Sequence, residues 1–169
     1  MRRIILITGG QSSGKSFHAE QRALELSPEP VYIATARAEG MEDRIDRHRA
    51  RRGPEWTTIE EPLRLGRLNL TERVAVIDCV TLWLTNLLFE AEPAREVDVV
   101  VTTAERELKE FTAPQTTYIF VTNEVGLGGV APNAIARDFA DIQGRVNRFL
   151  AAIADEVTLV AAGIPVKIK

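Results

Sequence analysis

An eight-residue segment near the start of the chain constrains the fold more than any other feature. The segment reads Gly9-Gly10-Gln11-Ser12-Ser13-Gly14-Lys15-Ser16, which matches G-x-x-x-x-G-K-[ST], and it lies between an apolar run and a helix-forming stretch. In that context the backbone N–H groups face phosphate oxygens, Lys15 neutralises charge and Ser16 binds Mg²⁺. The alternative is a glycine-rich turn that binds nothing, which the complete match disfavours. The sequence therefore predicts a phosphate-binding loop.

The rest of the chain alternates between strand-like and helix-like segments. Predicted strands cover residues 4–8, 31–34, 74–78, 116–122 and 157–162, with a further short strand at 56–59 and an edge or extension at 165–169. Predicted helices cover residues 16–26, 39–52, 81–89 and 97–111, a weak one after Pro62, and a long one that Asn133 caps. This order predicts one α/β domain over residues 1–169. It would be a P-loop NTPase of RecA-like type, with a mostly parallel sheet covered by helices on both faces.

The helix at residues 81–89 is apolar around too much of its circumference to face water, so we expect it inside.

Residues 74–78 supply a second chemical signal, because four apolar residues lead into Asp78. Ligands of such folds bind at the carboxyl ends of the strands, where this carboxylate reaches the Mg²⁺ shell. Many buried strands end in aspartate by chance, however, and Asp78 gains weight only beside the loop.

The segment at residues 41–52 surrounds one histidine with arginines. His48 lies among Arg44, Arg47, Arg49, Arg51 and Arg52. Nearby cations disfavour the protonated imidazole, so a neutral His48 could serve as a nucleophile or base while the arginines hold a triphosphate. The alternative is a solvated charged helix in which His48 continues a half-buried stripe. For the other histidine, His18, we expect a packing or helix-surface role and not chemistry.

Residues 121–133 combine polar side chains with glycines after the fourth predicted long strand. We expect this segment on the ligand side of the sheet, close to a ligand or another subunit, although a plain connecting loop remains open.

The overall charge of -3, from 21 Lys+Arg and 24 Asp+Glu, argues against nucleic acid as the main partner. No stretch is long enough to span a membrane. A single cysteine, Cys79, cannot form an internal disulfide and fits a reducing cytoplasm.

Several ordered motifs together resemble the bifunctional adenosylcobinamide kinase / adenosylcobinamide-phosphate guanylyltransferase family. Besides the phosphate loop, they are Tyr32-Ile33-Ala34-Thr35-Ala36, Arg44-Ile45 with His48, Trp56 with Thr58 and Glu60, Asp78-Cys79 with Thr81-Leu82-Trp83-Leu84-Thr85-Asn86-Leu87-Leu88, Thr122-Asn123-Glu124-Val125-Gly126, and Gly144-Arg145-Val146-Asn147. The resemblance extends over nearly the whole chain.

The resemblance implies a two-step reaction. ATP or GTP would phosphorylate adenosylcobinamide, and GMP would then pass from GTP to adenosylcobinamide phosphate through a GMP-histidine intermediate at His48, giving adenosylcobinamide-GDP and pyrophosphate. It further implies a homotrimer, and we expect Mg²⁺ at Ser16 and Asp78 of a cytoplasmic protein. The nucleotide contacts it implies are Gly9, Gly10, Gln11, Ser12, Ser13, Gly14, Lys15, Ser16, Thr35, Ala36, Arg37, Arg49, Ala50, Arg51, Arg52, Glu60 and Asp78, with Lys15 and His48 catalytic.

Two other classes of function share the phosphate loop. Another small-molecule P-loop kinase would also need Lys15, Ser16 and Asp78, but it would form no covalent nucleotide adduct. A non-catalytic nucleotide switch or an assembly ATPase would hydrolyse nucleotide slowly and have no acceptor. Because only the guanylyltransferase reading requires a histidine nucleophile, adduct formation separates it from both.

Overall fold

The computed structural model describes residues 1–37, 52–91 and 96–169. Its strands are β1 (Arg3–Gly9), β2 (Val31–Ala34), β3 (Thr57–Glu60), β4 (Val74–Asp78), β5 (Thr117–Val121), β6 (Glu156–Ala161) and β7 (Ile164–Lys167). Its α-helices are α1 (Lys15–Leu26), α2 (Val80–Glu90), α3 (Val97–Phe111) and α4 (Ala134–Ile153), and short 3₁₀ turns cover Leu65–Arg67 and Val125–Gly128. The helix predicted at residues 39–52 lies, except for its last residue, outside the described residues.

Within the described residues the strands form one sheet in the order β3-β2-β4-β5-β1-β6-β7. Strands β1 to β6 pair in parallel, and β7 runs antiparallel to β6 at the edge. This arrangement confirms the prediction of a mostly parallel sheet, including the edge position of the final segment. Parallel strands bring all their carboxyl ends to one side, which is where β1 continues into the phosphate loop.

Helices cover both faces of the sheet. On one face α2, α3 and α4 pack on the alternate residues of β1 and β4 that include Ile4, Leu6 and Ile77. On the other face α1 contributes Ala19 and Ala23 against the opposite set of strand side chains. Because strands buried on both faces need apolar residues at consecutive positions, this layering accounts for the continuous apolar runs in the sequence.

The apolar helix is buried, as expected, and appears as α2. Trp83 is fully buried, and its indole nitrogen donates to the Leu63 carbonyl oxygen at 3.0 Å. The Asn133 cap is also confirmed, since its Oδ1 accepts from the Ala136 amide at 2.8 Å. The weak helix expected after Pro62 is instead the 3₁₀ turn Leu65–Arg67. None of the described helices is both long enough and apolar enough to cross a membrane.

Candidate nucleotide site

The loop at residues 9–16 has the strand–loop–helix setting that the sequence predicts. Gly9 ends β1 at φ 150°, and a Cβ there would collide with the Val160 carbonyl oxygen on the neighbouring strand. Gly14 has φ 99° and immediately precedes α1. Both conformations favour glycine, so side chains at these positions would distort the turn. The glycines therefore let the backbone wrap closely in front of the helix start.

Lys15 and Ser16 occupy the first turn of α1, where free backbone amides favour anions. The Lys15 side chain is largely buried, and its Nζ donates to the Gly10 carbonyl oxygen and approaches Ser13 Oγ at 3.4 Å. The ammonium group thus lies across the loop that the glycines shape. This arrangement places a fixed positive charge where the motif requires one.

The strand register brings further predicted residues to the same edge. Ala34, the last residue of β2, pairs with Glu60 on one side and with Asp78 on the other. Asp78 is in turn level with Val121, which is level with Ile7 two residues before the loop. Glu60 and Asp78 therefore share with the phosphate loop the carboxyl edge of the sheet.

Asp78 belongs to a group of side chains that we call the charged cluster, formed by Glu20, Tyr32, Arg52 and Asp78. The Tyr32 hydroxyl donates to Asp78 Oδ2 at 2.7 Å. Burial raises the pKa of Tyr32 well above its usual value, and the neighbouring Asp78 charge raises it further. Tyr32 consequently remains a protonated donor to this carboxylate throughout the neutral range.

Arg52 joins the charged cluster over the face of the tyrosine ring. Its guanidinium carbon lies 3.5 Å from the ring centroid, and Nη1 is 3.9 Å from Glu20 Oε1. The Arg52 and Glu20 side chains are only 5% and 6% exposed. Arg52 Nη1 has no hydrogen-bond partner among the described residues, although it is buried. The Arg52 guanidinium, which belongs to the same cluster as Asp78, thus has a hydrogen-bond donor left for a ligand.

The chemistry of Ser16 and Asp78 suits Mg²⁺, which prefers oxygen ligands. Across the part of the chain that the structure describes, no group of three or more His, Cys, Asp or Glu side chains could hold a metal. Mg²⁺ does not need such a group, because in nucleotide sites it usually takes one or two carboxylates and completes its shell with phosphates and water. The residues present therefore fit a nucleotide-bound magnesium ion.

The remaining predicted contacts divide into three groups. Thr35 is fully buried, and its hydroxyl both donates to the Cys79 carbonyl and accepts from the Cys79 amide at 2.8 Å, which ties the ends of β2 and β4 together. Ala36 follows it, and the exposed Arg37 bonds Glu90 at 3.2 Å. His48, Arg49, Ala50 and Arg51 lie outside the described residues.

The sequence predicts only part of a second polar group near the loop: the segment 121–133, expected on the ligand side of the sheet, contains Thr122 and Glu124, but Thr8, Gln143 and Asn147 were not expected at the site. We call it the amide network: Thr8, Thr122, Glu124, Gln143 and Asn147. Asn147 accepts from Thr122 at 2.8 Å and from Gln143 at 2.9 Å, and it donates to the Asn123 carbonyl at 3.0 Å. The sequence did contain a signal, because Gln143 and Asn147 are four residues apart, each directly after an apolar residue of the α4 stripe.

Comparison of the sequence with known proteins agrees with the resemblance found in its motifs. The family model described as cobinamide kinase / cobinamide phosphate guanyltransferase matches residues 5–168. The bifunctional adenosylcobalamin biosynthesis protein CobU of Escherichia coli is 39% identical over 181 residues, covering 98% of this chain and 99% of that protein. The corresponding CobP of Pseudomonas aeruginosa is 41% identical over 172 residues, covering 97% of this chain and 96% of that protein.

Solved structures share the fold at much lower sequence identity. An ATPase of a bacterial type III secretion system matches with a TM-score of 0.56 and 11% identity, covering 93% of this chain, which spans 50% of that ATPase. The flagellar accessory protein FlaH of Methanocaldococcus jannaschii matches with a TM-score of 0.51 and 14% identity, covering 99% of this chain and 78% of that one. These likenesses confirm the RecA-like P-loop NTPase fold and, at such identities, nothing beyond it.

Proposed function

This chain belongs to the cobinamide kinase / cobinamide phosphate guanyltransferase family, and we propose that it performs both reactions at one nucleotide site within a single domain. The observation that carries the proposal is the family match across residues 5–168 in a chain whose complete phosphate loop shares a sheet edge with Asp78. The substrates proposed are ATP or GTP with adenosylcobinamide, and then GTP with adenosylcobinamide phosphate.

In the kinase reaction the loop and its lysine bind the triphosphate. The amides of residues 9–16 and Lys15 balance charge on the transferred phosphoryl group, as in other P-loop enzymes. Ser16 and Asp78 would hold Mg²⁺, which neutralises charge on the phosphates when it is bound. Tyr32 fixes the orientation of the Asp78 carboxylate by its 2.7 Å hydrogen bond.

In the guanylyl transfer we propose His48 as the nucleophile. A neutral imidazole nitrogen attacks the α-phosphorus of GTP, the bond to the bridging oxygen breaks and pyrophosphate leaves. A phosphate oxygen of adenosylcobinamide phosphate then displaces the histidine and yields adenosylcobinamide-GDP. The proposal is supported by the arginines that adjoin His48 in sequence, because cations stabilise the departing pyrophosphate. Thr35, Ala36, Arg37, Arg49, Ala50, Arg51, Arg52 and Glu60 are proposed as further GTP contacts.

The adduct can be detected directly, and the chain offers a matched control. Incubation with GTP labelled at the α-phosphorus and Mg²⁺, followed by denaturation, should leave label on the protein that survives alkali but is lost in acid, as a phosphoramidate behaves. His48→Ala should abolish this label. His18→Ala, which removes the second of the two histidines, should retain it. Absence of label from the wild-type chain, or its persistence in His48→Ala, overturns the histidine mechanism and favours a simple kinase.

We also propose that the chain works as a cytoplasmic homotrimer. The support is an exposed apolar segment after β5, in which Leu127 is 81% and Val130 is 89% exposed. Side chains of this kind are costly to leave in water and are frequent where subunits meet. Light scattering of the purified chain gives its oligomeric mass, and a monomer at micromolar concentration would contradict this part of the proposal.

A further inference from the structure

Glu124 lies beside the phosphate loop, and the two proposed reactions described above assign it no role. It follows β5, which lies between β1 and β4 in the sheet. The Thr122 amide donates to the Ile7 carbonyl at 3.0 Å, and two residues later the Glu124 amide donates to the Gly9 carbonyl at 3.2 Å. The backbone of β5 thus continues along β1 as far as the first residue of the loop. Glu124 is therefore anchored at the loop, on the side of it that β5 shares with β4 and Asp78.

The side chain of Glu124 is held by hydrogen bonds that meet at one oxygen. Oε1 accepts from the Thr8 hydroxyl at 2.6 Å and from Asn147 Nδ2 at 3.3 Å. Among the described residues, Oε2 accepts no hydrogen bond and no cation is paired with this carboxylate. Asn147 is itself fixed by Thr122 and Gln143. The amide network consequently orients a half-buried carboxylate without neutralising it, whereas a purely structural glutamate in such a place is usually paired.

We infer that Glu124 is the general base of the kinase reaction, an inference that rests on the proposed function. The carboxylate accepts the proton of the cobinamide hydroxyl as the hydroxyl oxygen forms its bond to the γ-phosphorus. The bond from that phosphorus to the bridging oxygen breaks, and the nucleoside diphosphate leaves with the electron pair. Glu124 then returns the proton to water.

The chemistry of the second reaction explains why one base is enough. The nucleophile toward the GMP-histidine is a phosphate oxygen, which is already deprotonated at neutral pH and needs no base. Only the first reaction uses a neutral hydroxyl. A general base contributes about 10²–10⁴-fold to the rate of a step that needs one, so its removal should separate the two activities.

The decisive variant is Glu124→Gln, which keeps the shape and the hydrogen-bond acceptor but not the negative charge. Kinase turnover is measured with adenosylcobinamide and γ-labelled nucleotide, and guanylyl transfer with separately prepared adenosylcobinamide phosphate and GTP. We expect kcat for the kinase reaction to fall about 10²-fold or more. The KM for nucleotide should change little, and the kinase should lose far more than guanylyl transfer. Glu29→Gln is the matched control and should change neither reaction. Glu29 is exposed and precedes β2, so it lies at the amino ends of the parallel strands, away from the phosphate loop.

Each outcome decides the assignment. Kinase turnover in Glu124→Gln equal to that of the wild type overturns it. An equal loss in both reactions overturns it as well, because that pattern indicates damage to the shared loop or to metal binding. If the wild-type chain phosphorylates no cobinamide at all, the proposed function fails and the assignment fails with it. A melting temperature close to the wild-type value shows that the variant is folded.

Discussion

The two polar groups near the phosphate loop, the charged cluster and the amide network, differ in how they keep polar atoms buried. The charged cluster uses ions and an aromatic ring, with Arg52 stacked on Tyr32 and Tyr32 bonded to Asp78. The amide network uses neutral hydroxyls and amides to hold the single carboxylate of Glu124. Buried charges are costly unless they are paired, while a satisfied amide network orients a group without neutralising it.

This difference suits the chemistry proposed for each of the two groups. Asp78 is proposed to bind Mg²⁺, which both reactions need. The hydrogen bond from Tyr32 keeps the Asp78 carboxylate in one orientation during both reactions. Glu124 is proposed to accept a proton in one reaction, so an unpaired carboxylate is required there. The charged cluster should therefore affect the two activities together, and the amide network should affect them unequally.

Breaking the amide network should have the largest effect on stability. Asn147→Ala removes four hydrogen bonds, those to Thr122, Gln143, Asn123 and Glu124. Gln143 keeps its bond to Thr122, and Glu124 keeps its bond from Thr8. Buried groups left unsatisfied cost about 1–3 kcal/mol, so we expect the free energy of unfolding to fall by about 3 kcal/mol. Urea denaturation measures it. The kinase rate should also fall more than the guanylyl transfer rate, because Glu124 loses a partner that orients it, and equal losses would contradict the comparison.

Breaking the charged cluster at its tyrosine should cost less and should lower both reactions by a similar factor. Tyr32→Phe removes the donor to Asp78 Oδ2, and hydrogen bonds to charged groups contribute about 1.5–3 kcal/mol. Tyr118→Phe is the matched control, since that hydroxyl donates to the neutral Pro114 carbonyl at 3.3 Å. We expect a loss of about 2 kcal/mol for Tyr32→Phe and about 0.5–1 kcal/mol for the control, again from urea denaturation.

Alkaline titration provides a second test on the same two tyrosines, Tyr32 and Tyr118. The pKa of Tyr32 in the folded chain is raised well above the usual tyrosine value of about 10, first by burial and then by Asp78. The folded state therefore binds more protons than the unfolded state above pH 10. The contribution of Tyr32 to the free energy of unfolding is fully present below that pH and decreases as the pH rises past it. Burial raises the pKa of Tyr118 as well. Tyr32 should show no tyrosinate absorbance near pH 10 in the folded chain, and Tyr118 should ionise at a higher pH than an exposed tyrosine. Ordinary titration of both tyrosines in the folded state would contradict these shifts.

Much of the fold follows from local sequence patterns. The continuous apolar runs predicted β1, β2 and β4, and the α4 stripe and its Asn133 cap predicted that helix, because these signals depend on neighbours in the sequence. Of the predicted site, the structure brings the loop, Glu60 and Asp78 to one edge. The Tyr32–Asp78 bond joins residues 46 positions apart, and the Thr8–Glu124 bond joins residues 116 apart. Such contacts depend on strand order, which no local pattern encodes.

The smallest expected effect is the loss of the α4 cap, and it shows whether the network effects are specific. Asn133→Ala removes the 2.8 Å bond to the Ala136 amide at the start of the helix that carries Gln143 and Asn147. Loss of such a cap costs about 1 kcal/mol, which urea denaturation should show. Both reaction rates at 25 °C should stay near wild type, because the network lies more than two turns farther along the helix. If Asn133→Ala shifted the ratio of the two rates as Asn147→Ala does, destabilised α4 alone would account for the split, and the amide network would have no specific part in orienting Glu124.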